Sequence, residues 1–259
     1  QTVPRMNAPS SPALFAASDL TWPAENVSTL GPFTLRHAPG ARGRGNCATA
    51  DKTATITEID AAIAAMHARG GPRLFMIRQS RDAADFPHDD ALDATLASRG
   101  YIAVSATVMM VAPAAPLAAL ELPRVRAFTV WEPLAIQHDI WEEGGILAPR
   151  RAVMMRAQCP KAALLGRLND HPACAGFLGY DRAHRLSMLH ALYVLPPQRR
   201  QGMAMNALTM AARWTLAEGG THIGLAVEAS NASARALYAG AGFVEAGTYH
   251  YRMHPEDTK

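Results

Sequence analysis

Apolar and polar positions alternate along the chain with two different periods, and each change of period marks a new element. Ile59, Ile63 and Met66 recur at steps of three and four, so residues 57–69 predict an amphipathic helix, ended by Gly70-Gly71. The apolar run Leu74-Phe75-Met76-Ile77 predicts a strand over 73–78. A second helix is expected over 89–99, stopped by Gly100, and a strand over 101–111. Residues 128–131 open a second unit, with short helices expected at 138–143 and 150–158. Strands are expected at 161–168 and 173–181, and the turn-forming sequence Asn169-Asp170-His171-Pro172 between them predicts a hairpin. Residues 186–194 are apolar on both alternating faces, the mark of a central strand covered on both sides. A helix over 202–218, a strand over 222–228, a capped helix over 231–239 and one or two strands within 243–253 complete the series.

The pattern is weaker at the start. Residues 1–30 are rich in Pro, Ser and Ala and read as an arm with one short helix, ending at Gly31-Pro32. Residues 33–50 predict two strands around the turn Gly40-Ala41-Arg42-Gly43. The uncharged stretch 100–120 is long enough to cross a bilayer, but Pro113, Pro116, Ser105 and Thr107 favour a core strand followed by a Pro/Ala linker. One order of elements occurs twice: strand, helix, glycine, aromatic, strand. It runs through Gly100-Tyr101 and again through Gly242-Phe243, which suggests two halves of related architecture.

With 259 residues, 49% hydrophobic and 18% charged, the chain has enough apolar material for a real core. Lys and Arg number 25 against 22 Asp and Glu, a surplus too small for general binding to nucleic acid or an anionic membrane. Cys47, Cys159 and Cys174 lack the spacing of a zinc site or redox pair and read as reduced, buried thiols. His184 and His190 are not at metal-ligand spacing, so no metal is expected. No secretory leader is recognisable, and a cytoplasmic location is expected, as a monomer or homodimer.

The informative segment runs from Leu192 to Ala204. A buried strand enters a Pro-bearing turn, then Arg199-x-x-Gly202-x-Ala204, then a helix. The first turn of a helix has N–H groups without internal partners, and its dipole favours negative charge. Gly202 and Ala204 remove bulk, and Arg199 and Arg200 add positive charge at the rim. This is a cradle for a phosphate. It is neither a Walker loop, for no Gly-Lys-Ser/Thr follows, nor a three-glycine dinucleotide fingerprint.

These residues resemble the signature of the GNAT superfamily of N-acetyltransferases, Arg/Gln-x-x-Gly-x-Gly/Ala at the start of a helix. A second series, Leu225-x-Val227-x-x-x-Asn231-x-x-Ala234-x-x-Leu237-Tyr238 followed by Gly242-Phe243, is also similar to the family, so the likeness covers about residues 125–255. It implies an α/β (α+β) fold: a mixed, mostly antiparallel sheet flanked by helices, whose fourth and fifth strands splay apart to admit acetyl-CoA. The pyrophosphate is expected on the amides of Gln201, Gly202, Met203 and Ala204, helped by Arg199 and Arg200. The pantetheine is expected along Leu192, Tyr193 and Val194, with Asn231 and Tyr238 completing the cofactor site. The family's direct acyl transfer to an amine implies Tyr238 as general acid. For the base, Glu228, His190 and ordered water stay open. Gly31 to Arg36, the basic turn with Asn46, and residues 92–101 resemble the front half of tandem members. Residues 1–122 are therefore expected to be a degenerate copy and 123–259 the catalytic domain.

Each residue also has a plainer reading. Tyr238 packs beneath the sheet, Asn231 only caps its helix, His190 is a satisfied core histidine, and Glu228 is a solvated charge. The expected partner is a small-molecule or peptide amine. The competing reading is a non-catalytic acyl-CoA-binding protein that kept the groove.

Overall fold

The computed structural model describes residues 8–41, 43–82, 84–123 and 126–258. Arg42 of the glycine-rich turn and the first seven residues of the expected arm lie outside them. The first half contains α1 (Ser11–Thr21), β1 (Asn26–Leu30), β2 (Phe33–His37), β3 (Ala48–Ala50), α2 (Ile56–Ala68), β4 (Leu74–Ser80), α3 (Asp89–Ser98), β5 (Ile102–Pro113) and α4 (Ala114–Ala118). The second contains β6 (Ala127–Val130), α5 (Ala135–Glu143), α6 (Ala148–Arg156), β7 (Lys161–Leu168), β8 (His171–Asp181), β9 (Leu186–Val194), α7 (Met203–Ala217), β10 (His222–Glu228), α8 (Ala232–Gly240) and β11 (Val244–Met253).

The strands form one continuous sheet in the order β1-β2-β3-β4-β11-β5-β10-β9-β8-β7-β6. Its centre is an exchange between the halves. β5 lies between β10 and β11, and β11 lies between β4 and β5. All three of these central pairings are antiparallel, whereas β3–β4 and β9–β10 are parallel and joined through α2 and α7. The units β4–α3–β5 and β10–α8–β11 thus occupy equivalent places on either side of the β5–β11 ladder. Neither half completes its sheet without the other's strand.

Alternation along the strands sorts the core onto two faces. Val108 and Met110 of β5 and Leu225 and Val227 of β10 pack with α4, α7 and α8. Met109 and Val111 of β5 and Leu186 and Met188 of β9 pack with α1 on the other side. Farther along that side, α5 and α6 cover Phe177 and Leu165 around the fully buried Trp141. The Asn169-Asp170 turn between β7 and β8 has both residues at positive φ (50° and 62°), which matches the twist of a two-residue hairpin.

Two expectations are corrected. The expected arm does hold one helix, α1, but its Leu14 and Ala17 are fully buried on the sheet, and it is followed by a strand, β1, that pairs with β2. Its Ser and Ala content reflects close packing on the sheet. The supposed Pro/Ala linker holds α4, which buries Ala114 and Leu117 against α7.

Candidate active site

The site begins where two strands part. β9 and β10 pair only from Leu186–His222 to Leu189–Leu225. Just beyond, Ala191 takes φ 52°, and the register against β8 slips between Phe177–His190 and Ala175–Tyr193. That is a β-bulge, which bends its strand and re-aims the residues after it. The bulge is held from behind: Trp141 donates from Nε1 to the Ala191 carbonyl at 3.0 Å. Leu192, Tyr193 and Val194 therefore leave β10 and form one wall of a cleft of about 830 Å³. The Tyr193 ring packs the other way, filling the space where Gly144 would carry a Cβ.

The start of α7 forms the floor. Gly202 is its N-cap, at φ 78°, and supplies no side-chain hydrogen bond to the first turn. Arg200, also left-handed at φ 62°, precedes it. Consecutive amides near left-handed residues turn their N–H groups toward one point, an anion-binding concavity. A Cβ at Gly202 would meet no atom within 4 Å, so the approach to the amides is open. Arg199 folds back, donating from Nε to the Val194 carbonyl at 3.0 Å and lying 5.4 Å over the Tyr193 ring.

The far wall is α8. Asn231 caps it, accepting from the Ala234 amide at 3.1 Å. Ser233, Ala234, Leu237 and Tyr238 share the face toward the cleft. Tyr238 packs 5.6 Å from Phe243, and burial pushes its hydroxyl up to about 12.

Of the residues expected to bind the cofactor, Leu192, Tyr193, Val194, Arg199, Arg200, Gly202, Met203, Ala204, Asn231 and Tyr238 all line this cleft. Gln201 does not; its side chain donates back to the Pro197 carbonyl at 3.0 Å. Gln198, Met205, Ser233 and Ala236 line it without having been expected. No residue of α8 is fully buried, and its half-buried Ala234 and Tyr238 pack on the core while lining the cleft.

Glu228 and His190 lie outside the cleft lining. Ala226 packs toward α1, so Glu228, two residues on, shares that face and is exposed at the end of β10. His190 is buried on the same side, its ring near Trp22 (5.0 Å) and stacked on Phe177 (6.1 Å). Its Nε2 is 2.7 Å from Thr21 Oγ1, and its Nδ1 is 3.3 Å from an Arg44 nitrogen. Thr21 already donates its proton to the Ala17 carbonyl, so its oxygen accepts from Nε2–H and leaves Nδ1 to accept from Arg44. Burial, then Arg44 and Arg150, hold the ring well below its ordinary pKa. Both nitrogens are engaged, so His190 is a fixed neutral ring here and not a base open to an acceptor amine.

Among the described residues no group of three or more His, Cys, Asp or Glu side chains could hold a metal ion, and no helix is long and apolar enough to cross a membrane. All three cysteines are free.

Residues 134–243 match the acetyltransferase (GNAT) family. No curated protein matches the sequence significantly. A GCN5-related N-acetyltransferase from Kribbella flavida is similar in fold, with 17% identity and a TM-score of 0.66 over 96% of this chain and 97% of that one. A functionally unknown conserved protein from Staphylococcus epidermidis has 12% identity and a TM-score of 0.64 over 90% and 95%. A tandem GNAT protein from the clavulanic acid biosynthesis pathway has 10% identity and a TM-score of 0.56 over 81% and 79%. The fold is that of the GNAT acyltransferases, and residues 134–243 match the model of that acetyltransferase family.

Proposed function

We propose that the protein transfers the acetyl group of acetyl-CoA directly to a primary amine of a small molecule or peptide. The observation that carries this reading is the uncapped start of α7 opening into the cleft between the parted strands β9 and β10. The residues fit the coenzyme. The amides after Gly202, flanked by Arg199 and Arg200, suit a pyrophosphate. The edge of Leu192 and Tyr193 that β10 leaves unpaired suits the amide-bearing pantetheine arm. Gln198 Oε1, buried in the cleft without a partner, is an acceptor waiting for a donor.

In this reading the amine nitrogen attacks the thioester carbonyl carbon, the carbon–sulfur bond breaks, and the sulfur leaves with its electron pair. Tyr238 protonates that sulfur. Because its hydroxyl is pushed up to about 12, it stays protonated at every pH where an alkyl amine, with a pKa near ~10, begins to lose its proton. Glu228 removes the ammonium proton, directly or through water. Residues 1–122 are a related copy without a cofactor site of its own.

Calorimetry with acetyl-CoA and thiol release over an amine panel test the reading. Tyr238→Phe is expected to lower kcat about 100-fold, the low end for a lost general acid, with little change in acetyl-CoA affinity. Failure to bind acetyl-CoA, or full turnover by the phenylalanine variant, overturns it.

A further inference from the structure

Two arginines meet on the face of the sheet opposite the cleft. Arg44 comes from the short 3-10 turn Gly43–Asn46 ahead of β3, and Arg150 from α6. Their guanidinium carbons lie 5.9 and 6.0 Å from the centre of the same indole, that of the buried Trp22. Arg36, Arg73 and Arg78 each hold a carboxylate partner. Among the described residues neither Arg44 nor Arg150 forms an ion pair. Arg44 is half-buried and Arg150 exposed, and two like charges drawn to one indole favour a shared anion between them.

Arg44 is also aimed. His190 Nδ1 accepts from one of its terminal nitrogens, and Ser18 Oγ takes the other. His190 can do this because Thr21 fixes its tautomer from beneath. Asn46 holds the turn that carries Arg44, accepting from the Ala38 amide at 2.7 Å and donating to the Ala38 and Ala41 carbonyls. This arrangement lies beside the end of β10. Desolvation, then the charge of Arg44, lower the pKa of Arg150, against an opposing pull from Glu228 at the end of β10.

We infer that the acceptor amine also bears a carboxylate, held by Arg44 and Arg150 on the α1 face, with His190 as the positioning residue of Arg44. This rests on the acetyltransferase reading and deepens it. The amine end then lies toward Glu228 and the parted strands, and the carboxylate end lies over Trp22. A guanidinium fork matches a carboxylate in two parallel hydrogen bonds. The same pair repels a polycation, so amino acids and short peptides are taken and polyamines are refused.

The test compares thiol release by the full chain with α-amino acids and dipeptides, with their carboxamides, and with spermidine. Carboxylates are expected to exceed the matched amides at least 10-fold in kcat/KM. Arg44→Met and Arg150→Met should each bring that ratio toward one with acetyl-CoA affinity unchanged. His190→Ala should raise KM for the carboxylate acceptor without lowering kcat. His190→Asn, which keeps an oxygen near the Nδ1 position, should recover it. Amides or spermidine used as well as carboxylates overturn the inference. So does preference for carboxylates that survives both arginine substitutions, or binding of acetyl-CoA without turnover of any carboxylate-bearing amine. Loss of acetyl-CoA binding in the unaltered protein instead overturns the acetyltransferase reading itself.

Discussion

The units β4–α3–β5 and β10–α8–β11 have the same connectivity and stand in equivalent places in the sheet, yet one is closed and the other open. In the first, Asp89 at the start of α3 is fully buried and accepts from the Arg78 amide at 2.6 Å and from its guanidinium at 3.0 and 3.2 Å. α3 also buries Leu92 and Leu96. In the second, Ala232 stands where α3 has Asp89, and no residue of α8 is fully buried. The crossover helices differ likewise. α2 starts with a capping box: Thr55 Oγ1 accepts from the Glu58 amide, and a Glu58 oxygen accepts from the Thr55 amide at 2.8 Å. α7 starts with bare Gly202. A helix end that satisfies its own amides and carries a carboxylate has nothing left for an anion. One fold unit therefore makes either a structural buttress or a ligand wall, and the first residues of two helices decide which.

Breaking the clamp has the largest expected effect. Asp89→Ala leaves the Arg78 amide without its acceptor and the guanidinium without a carboxylate, holding only the Ala50 carbonyl, at a cost of about 3–5 kcal/mol by denaturant unfolding. A loss under 1 kcal/mol would mean that the closed half does not depend on it.

Making α7 resemble α2 sharpens the comparison directly. Gly202→Asp keeps a residue that tolerates the left-handed region but adds a carboxylate over the first turn. Acetyl-CoA should bind about 100-fold more weakly, since juxtaposed like charges cost several kcal/mol. Unchanged affinity by calorimetry refutes the cradle.

The converse change should be mild. Thr55→Ala removes a helix cap and about 1 kcal/mol of stability, and leaves acetyl-CoA affinity as it was. Weaker acetyl-CoA binding in that variant would show that the N-terminal half takes part.

The smallest effect is expected on the open side. Arg235 pairs with Glu245 at 2.7 Å, joining α8 to β11, but both side chains are substantially exposed. Glu245→Gln should change stability by less than about 0.5 kcal/mol. The contrast with Asp89 measures how much more tightly α3 is fastened than α8.

Much of the C-terminal half could be read directly. Strands 161–168, 186–194 and 222–228 fall where their apolar patterns placed them, because their alternation records which face is covered. The Arg199-x-x-Gly202-x-Ala204 segment is local chemistry, and it lines one cleft together with seven of the other residues expected around it. Elsewhere local pattern misled. α1 has the composition of a loose arm, yet its small polar residues Ser11, Ser18 and Thr21 are buried where a helix must lie close to a sheet. Arg44 reads as a charge on a hairpin tip, and nothing nearby in sequence places it beside His190, 146 residues away.

Most elements of the C-terminal half, the bare glycine start of α7 and the twofold order of strand, helix and strand are legible in the chain alone, because each depends on residues within one or two turns of one another. The exchange of β5 and β11 between the halves, the burial of His190 between Thr21 and Arg44, and the convergence of Arg44 and Arg150 on Trp22 emerge only once the chain is folded. Those outcomes depend on which strands lie side by side, and pairing across a hundred residues is set by how whole faces pack, which no short stretch of chain encodes.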